Sequence, residues 1–190
     1  MLRNYTDKNS YCGEKYRKLK AILLVKPMRW VFNLSENVCC MTRLDDDSFL
    51  YRPITYDLFV FMRDRRLLYG YIQVRDEAPV LTRGLWEAAD EYVRGGGGDA
   101  PEFYATWKRT KIYYTNFEIS AMSVWTSLRY ACLVDYIDRR GGIYYRRWGD
   151  APIKTIAVTL FVARSQTHHF ADIAYKHNIY TNTGRAKQPP

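Results

Sequence analysis

Two carboxylates with aromatic neighbours are the residues of this chain best suited to chemistry. Glu118 follows an aromatic, strand-prone run, and Asp150 lies beside Trp148 in a turn bounded by glycine and proline. Aromatic rings stack on the apolar face of a pyranose, and carboxylates bind its hydroxyl groups or stabilise developing positive charge. This pairing indicates a sugar site. The competing interpretation is that Glu118 faces solvent on a strand and that Asp150 only caps the following helix.

A run of three acids, Asp45–Asp47, forms a second group that could do chemistry. The run follows a strand-compatible segment, and carboxylate oxygens are the ligands that hard divalent cations such as Mg²⁺ and Mn²⁺ prefer. In an extended backbone Asp45 and Asp47 point to the same side, so they form the natural ligand pair. A solvated acidic turn with an aspartate N-cap explains the same residues equally well, because Asp-x-Asp is a weak pattern.

The other candidate groups favour structural roles. Gly95–Gly98 is not followed by Lys-Ser/Thr, so a flexible linker or hinge is predicted there and not a phosphate-binding loop. The adjacent His168 and His169 lack the spacing of helical metal ligands. The four cysteines show no CxxC spacing, which argues against a structural zinc site.

Composition indicates one folded domain with a basic surface. Of the 190 residues 47% are hydrophobic and 16% aromatic, which excludes disorder over most of the chain. The net charge of +9 permits binding to nucleic acid or an anionic membrane, and it equally suits an enzyme that holds a sugar-nucleotide diphosphate. No stretch is long and apolar enough to span a bilayer, and the N-terminus lacks the apolar region of a signal peptide.

Hydrophobic periodicity and capping residues predict an α/β domain that would position these groups. Two short apolar runs, Ala21–Val25 and Trp30–Leu34, suit buried strands or a short helix. The elements predicted after them are a helix over Thr55–Met62, a strand over Leu67–Val74, an amphipathic helix over Thr82–Arg94, a strand over Ile112–Ile119, and helices over Met122–Asp138 and Ala151–Val162. The second strand would carry Glu118, and the last helix would begin beside Asp150.

With these residues in view, the C-terminal half resembles the fungal α-1,2-mannosyltransferases of glycosyltransferase family 15, Golgi enzymes that extend mannoprotein and mannolipid glycans. The hexapeptide Arg147-Trp-Gly-Asp-Ala-Pro152 is specific to this pattern. The other matches, in the same order and spacing, are Asn116-Phe-Glu118-Ile, Asp135-Tyr-Ile-Asp138 before Gly141-Gly142, Tyr145, Asp172-Ile-Ala-Tyr175-Lys-His177 before Tyr180-Thr-Asn182, and Arg43-Leu-Asp45-Asp-Asp47 before Tyr56-Asp57-Leu-Phe59. The resemblance extends over about Thr42–Asn182.

The resemblance implies a GT-A-like fold, a mixed sheet flanked by helices with its first strands missing. It implies a retaining glycosyltransferase that moves mannose from GDP-mannose to an α-mannoside in a protein or lipid glycan, forming an α-1,2 linkage with Mn²⁺ as cofactor. The expected partners are GDP-mannose and a mannose-containing glycan, not nucleic acid. The expected location is the Golgi lumen or membrane, although no anchor or signal is found in this chain.

The resemblance also implies roles for individual residues. Glu118 matches the carboxylate proposed as nucleophile or as stabiliser of an oxocarbenium ion. The full expected set is Glu118 and Asp150 as catalytic residues, Arg43, Asp45 and Asp47 at the cofactor site, Asp45, Asp47 and His177 as metal ligands, and Tyr145, Arg147 and Trp148 at the acceptor.

Departures from the family pattern leave alternatives open. Family members have a longer N-terminal portion that holds an anchor and the first strands of the nucleotide-binding sheet. We therefore expect a divergent segment over 1–40, a partial catalytic domain over 41–183 and a disordered tail over 184–190. Lys111 and Thr183 stand where the family usually has Cys, and Arg146 replaces a Glu. A catalytically impaired remnant acting as a binding or structural protein is the alternative, and a basic nucleic-acid-binding module rests on charge alone.

Overall fold

The computed structural model describes residues 30–33, 40–98 and 101–184. The predicted apolar element Ala21–Val25, most of the 1–40 segment and residues 185–190 of the predicted tail lie outside the described residues. The predicted boundaries of the three domains stay a prediction.

A five-stranded mixed sheet carries the central part of the molecule, in the order β1-β2-β7-β4-β8. All neighbours are antiparallel except β4 and β8, which are parallel. In the central strand β7, residues 117–120 are all buried. The strands are β1 Trp30–Asn33, β2 Cys40–Leu44, β4 Tyr69–Tyr71, β7 Phe117–Ala121 and β8 Thr167–His169.

Two smaller sheets flank this one. A three-stranded antiparallel sheet in the order β10-β9-β3 brings the C-terminal strands against the residues that follow β2, and β5 pairs with β6. The strands are β3 Ser48–Leu50, β5 Val74–Asp76, β6 Lys111–Tyr113, β9 Ala174–His177 and β10 Tyr180–Thr183.

Eight α-helices accompany the sheets in the described part of the chain. The first begins at Leu58, later than predicted, because Asp57 is its N-cap: Asp57 Oδ1 accepts hydrogen bonds from the backbone N–H groups of Phe59 and Val60, at 2.8 and 3.0 Å. The helices are α1 Leu58–Asp64, α2 Pro79–Thr82, α3 Leu85–Tyr92, α4 Glu102–Ala105, α5 Met122–Trp125, α6 Leu128–Arg139, α7 Gly142–Tyr145 and α8 Asp150–Phe161. Among the described residues, no helix is long and apolar enough to cross a membrane.

Helix α8 is the centre of the larger hydrophobic core. Every residue from Pro152 to Leu160 is buried, and α3, α4, α6 and β6 pack around the helix. A second core lies between α1 and the sheet, where Gly70 is packed so closely that an added Cβ would lie 2.5 Å from Phe170 Cε2 and 2.7 Å from Ile119 Cγ2. These contacts fix α8 and β7 relative to the rest of the fold.

Three predicted elements are each divided into two in the structure. The strand predicted over Ile112–Ile119 is two strands, because residues 114–116 turn out of the sheet. The helix predicted over Met122–Asp138 is interrupted at Ser127, which caps α6 by accepting a hydrogen bond from the N–H of Tyr130 at 3.2 Å. The strand predicted over Leu67–Val74 is likewise divided between β4 and β5.

The helix predicted over Thr82–Arg94 begins later than expected. It starts at Leu85 because Gly84 adopts a left-handed conformation, φ 79°, that separates α2 from α3. A π-helical turn, Val93–Gly97, then continues α3 into the predicted glycine hinge.

Candidate active site

The core strands β2 and β7 bring two of the predicted site residues, Arg43 and Glu118, to one face of the sheet. Arg43 on β2 pairs directly with Glu118 on β7. Directly opposed residues of antiparallel strands project to the same face, so these two side chains are neighbours. The acidic run follows β2 at once and lies against the segment before β7, because the N–H of Asp45 donates to the carbonyl of Asn116 at 3.1 Å.

The acidic run and His177 converge as a group that could hold a metal ion. The ligand atoms of Asp45, Asp47 and His177 all lie within 4.8 Å of one another. The convergence does not come from an extended backbone, which corrects the prediction: Asp46 and Asp47 form a turn closed by a 3.1 Å bond from the Ser48 N–H to the Asp45 carbonyl. His177 reaches this turn because β9 pairs with β3, with His177 opposite Ser48.

The donor atoms of this cluster fit a divalent cation. His177 is buried, and its Nδ1 lies 2.9 Å from Asp47 Oδ1 without forming a hydrogen bond in the structure. An unbonded buried nitrogen close to two carboxylates is the arrangement expected of ligands that share a cation. Two carboxylates and one imidazole suit Mn²⁺ better than the larger, oxygen-preferring Ca²⁺.

Asn116 orients the cluster, a role for which sequence reasoning gave no prediction. Its Nδ2 donates to Asp45 and lies 3.0 Å from His177 Nε2. Nδ1, on the other side of the ring, is the nitrogen that faces Asp47. The signal in the sequence was the position of Asn116 in the Asn-Phe-Glu motif, two residues before Glu118.

Arg43 connects the acidic turn to Asp150. Its Nε donates to Asp45 Oδ1 at 3.2 Å, and its Nη1 donates both to Thr115 Oγ1 at 3.2 Å and to Asp150 Oδ2. Asp150 is the first residue of α8, and its side chain is 49% exposed. The interpretation of Asp150 as an N-cap is wrong, since Gly149 holds that position and the Asp150 carboxylate is engaged by Arg43.

The charge of Arg43 controls the ionisation of Asp150. Partial burial acts to raise the pKa of Asp150, but the guanidinium charge and hydrogen bond of Arg43 outweigh it, with help from Lys154 and Thr115. The net result is a pKa below the usual 3.8. Asp150 is therefore a carboxylate at neutral pH, with part of its surface open to a ligand.

Glu118 is completely buried, and both of its oxygens have partners. Tyr69 donates its hydroxyl to Oε2 at 3.0 Å, and the ammonium group of Lys154 forms an ion pair with Oε1. Burial, with the charge of Glu118, holds the pKa of Tyr69 well above its usual value, so Tyr69 remains a hydrogen-bond donor. The interpretation of Glu118 as a solvent-facing strand residue is wrong.

Of the three residues predicted at the acceptor, two line a groove and the third is buried. Tyr145 is 88% exposed and Arg147 is exposed with φ 59°, and both line a groove of about 480 Å³. Trp148 does not line that groove: its indole is buried, and its Nε1–H donates to the carbonyl of Arg83, a lining residue, at 2.9 Å. Tyr145 and Arg147 can therefore contact a ligand in the groove directly.

The chain is similar to fungal mannosyltransferases in sequence. An α-1,2-mannosyltransferase of Saccharomyces cerevisiae, KTR1, is 36% identical over 146 residues, a match that covers 71% of this chain and 37% of the relative. A glycolipid 2-alpha-mannosyltransferase of the same yeast is 31% identical over 166 residues, covering 80% of this chain and 37% of the relative.

Solved structures show the same likeness. Core-mannan synthase A (CmsA/Ktr4) from Aspergillus fumigatus, in its Mn/GDP form, superposes with a TM-score of 0.70 at 26% identity, covering 77% of this chain and 44% of that one. The mannosyltransferase Ktr4p of S. cerevisiae in complex with GDP gives a TM-score of 0.66 at 30% identity, covering 74% and 40%. The chain spans less than half the length of each of these four relatives.

These likenesses confirm the predicted mixed α/β fold and the predicted family. Residues 39–188, most of the chain, match the family model described as glycolipid 2-alpha-mannosyltransferase. The chain therefore belongs to the glycolipid 2-alpha-mannosyltransferase family, glycosyltransferase family 15.

Proposed function

We propose that this protein is a retaining glycosyltransferase that transfers mannose from GDP-mannose to an α-mannoside of a protein or lipid glycan, forming an α-1,2 linkage. The observation that carries the proposal is the continuity of the site. The Asp45, Asp47 and His177 cluster is joined through Arg43 to Asp150, on the sheet face that also carries Glu118. Family membership supports the choice of mannose as the sugar.

Asp45, Asp47 and His177 would hold a divalent cation, for which we propose Mn²⁺. The bound cation would neutralise negative charge on the leaving diphosphate. The Mn/GDP form of the Aspergillus relative supports this choice of metal and nucleotide. Asn116 orients Asp45 and His177 for this role through its amide.

The carboxylates of Glu118 and Asp150 take different roles in the proposal. Asp150 is ionised and half exposed, so it can accept hydrogen bonds from sugar hydroxyl groups at the acceptor side. Glu118 has no exposed surface and both oxygens are engaged. This geometry favours Glu118 as an electrostatic stabiliser of positive charge at the anomeric carbon over a role as nucleophile, which needs a free oxygen in contact with the sugar.

The acceptor would enter over the groove lined by Tyr145 and Arg147. Tyr145 offers an exposed ring on which a pyranose can stack, and Arg147 offers guanidinium donors for its hydroxyl groups. The proposal that the protein works in the Golgi lumen or at its membrane rests on the family resemblance.

Binding of GDP with and without Mn²⁺, followed by transfer assays, tests this function. We expect calorimetry to show GDP binding that requires Mn²⁺, and we expect mannose transfer from GDP-mannose to methyl α-mannoside. Asp46→Asn should bind GDP as the wild type does, because Asp46 is exposed in the same turn and is not a member of the cluster. Absence of GDP binding would support a catalytically impaired remnant, and binding without hydrolysis or transfer would exclude catalysis by this chain.

A further inference from the structure

Lys154 is an ammonium group in the interior of the molecule, on the most deeply buried helix. Its residue surface is only 8% exposed, on α8, where eight of its neighbours in the helix are also buried. Its Nζ contacts Glu118 Oε1 and lies 5.1 Å from the centre of the Trp125 ring. A lysine is almost never buried in this way unless it is paired.

We propose that Lys154 is a positioning residue that holds the buried Glu118 carboxylate in place and balances its charge beside the sugar site. The inference rests on the proposed function and deepens it. A carboxylate buried without a cation takes up a proton and becomes neutral, and a neutral acid cannot stabilise positive charge at an anomeric carbon. In this site Lys154 supplies the cation, while Tyr69 fixes the second oxygen.

Glu118 and Asp150 form their ion pairs with different cations. Arg43 pairs in register with Glu118, but its guanidinium contacts Asp45, Thr115 and Asp150. The ammonium group of Lys154 contacts Glu118. Asp150 and Lys154 are four residues apart on α8, so one face of this helix presents an acid and a base to the site.

Other charged and titratable groups also lie around Glu118. They are Arg43 on β2, Tyr69 on β4, Tyr130 on α6, and Asp150 beside Lys154 on α8. Burial raises the pKa of both tyrosine hydroxyls, so neither ionises in the working range. Removing the charge of Lys154 therefore takes away the ammonium group that contacts Glu118 Oε1.

The first test compares Lys154→Met with the charge-conserving Lys154→Arg. We expect Lys154→Met to lower kcat for mannose transfer at least tenfold, to leave the KM for GDP-mannose within twofold, and to move the acid limb of the kcat–pH profile to higher pH. Lys154→Arg should retain more of kcat and an unshifted acid limb. A Lys154→Met enzyme with the wild-type kcat and pH profile would overturn the proposal.

A second test needs no catalysis, so it remains decisive if the methionine variant folds poorly or the wild-type chain transfers no mannose. The midpoints of urea unfolding are measured for Glu118→Gln, Lys154→Met and the double variant. Since each single change removes one charge of a buried ion pair and leaves the other, the double variant should have a higher midpoint than Lys154→Met. A double variant no more stable than Lys154→Met would overturn the pairing. Strong coupling without GDP binding would reject only the proposed function.

Discussion

The two ends of the candidate site are built in opposite ways. At one end, Glu118 is buried with a cation on one oxygen and a hydroxyl on the other. At the other end, the carboxylates of Asp45 and Asp47 crowd around His177, whose Nδ1 has no hydrogen bond in the structure. At the first end, both oxygens of Glu118 already have partners within the protein. The second end has an excess of negative charge that a cation from solution would balance.

The elements that carry the two ends also differ in how deeply they are buried. Glu118 lies on β7 in the middle of the five-stranded sheet, and Lys154 on a helix buried along nine consecutive residues. Asp45 and Asp47 lie at a turn between two strands, and Asp47 is 59% exposed. Rigid, packed elements hold a charge in place before a substrate arrives, whereas a turn can adjust to its ligand. The comparison predicts that substitutions at the turn change binding and that substitutions at the buried pair change stability.

The largest expected effect is on cation affinity at the turn. Asp47→Ala removes one of the three proposed ligands, and we expect the dissociation constant for Mn²⁺ to rise at least about 100-fold. This is more than the usual effect of removing a residue that only hydrogen-bonds to a ligand. The free energy of unfolding without metal should change by less than about 0.5 kcal/mol, because Asp47 is exposed and its loss relieves charge crowding. Calorimetric titration with Mn²⁺ and urea unfolding measure the two quantities.

Asp46→Ala is the matched control for that measurement, since it removes a neighbouring exposed carboxylate that is outside the cluster. If Asp46→Ala weakened Mn²⁺ binding as much as Asp47→Ala, the affinity would come from the net charge of the turn and not from ligation. That result would break the contrast between the two ends.

The next effect is on stability at the buried end. Tyr69→Phe removes the hydroxyl that donates to Glu118 at 3.0 Å and leaves a buried carboxylate oxygen without that partner. We expect a loss of about 1–3 kcal/mol in the free energy of unfolding, with Mn²⁺ affinity unchanged. Tyr145→Phe is the control, because the Tyr145 side chain is 88% exposed and its change should cost less than about 0.5 kcal/mol. Equal losses in the two variants would contradict a special role for the Tyr69 hydroxyl.

Local sequence patterns predicted the parts of the site that depend on local chemistry. The Asp57 cap, the β2 strand before the acidic run and the helix that starts at Asp150 all follow from a few adjacent residues. The convergence of the acidic run with His177 came from the family resemblance. The sequence alone left a metal site and a solvated turn equally open, because the pairing of β9 with β3 joins residues more than 120 positions apart.

The parts that were not predicted depend on contacts between distant residues. Lys154 is 36 positions from Glu118, and Tyr69 is 49 positions from it. The break in the strand over Ile112–Ile119 has the same origin, since β propensity continues through residues 114–116 but Thr115 and Asn116 turn towards Arg43 and Asp45. One signal was present: a lysine within an otherwise apolar helix requires a buried acid as partner.

The smallest expected effect is the pH dependence of the contact that joins the two ends. The folded state lowers the pKa of Asp150 below 3.8, so this carboxylate contributes stability that is present above the usual pKa and is lost as the pH falls through the lowered value. The stability difference between wild type and Asp150→Asn should thus be constant from pH 7 to about pH 5 and should shrink between about pH 4 and pH 2. Its size should stay below about 1 kcal/mol, because the side chain is half exposed and solvent screens the ion pair. Urea unfolding across this range measures the difference. In an Arg43→Gln background the same substitution should show a smaller pH dependence, and an undiminished one would mean that Arg43 does not set the ionisation of Asp150.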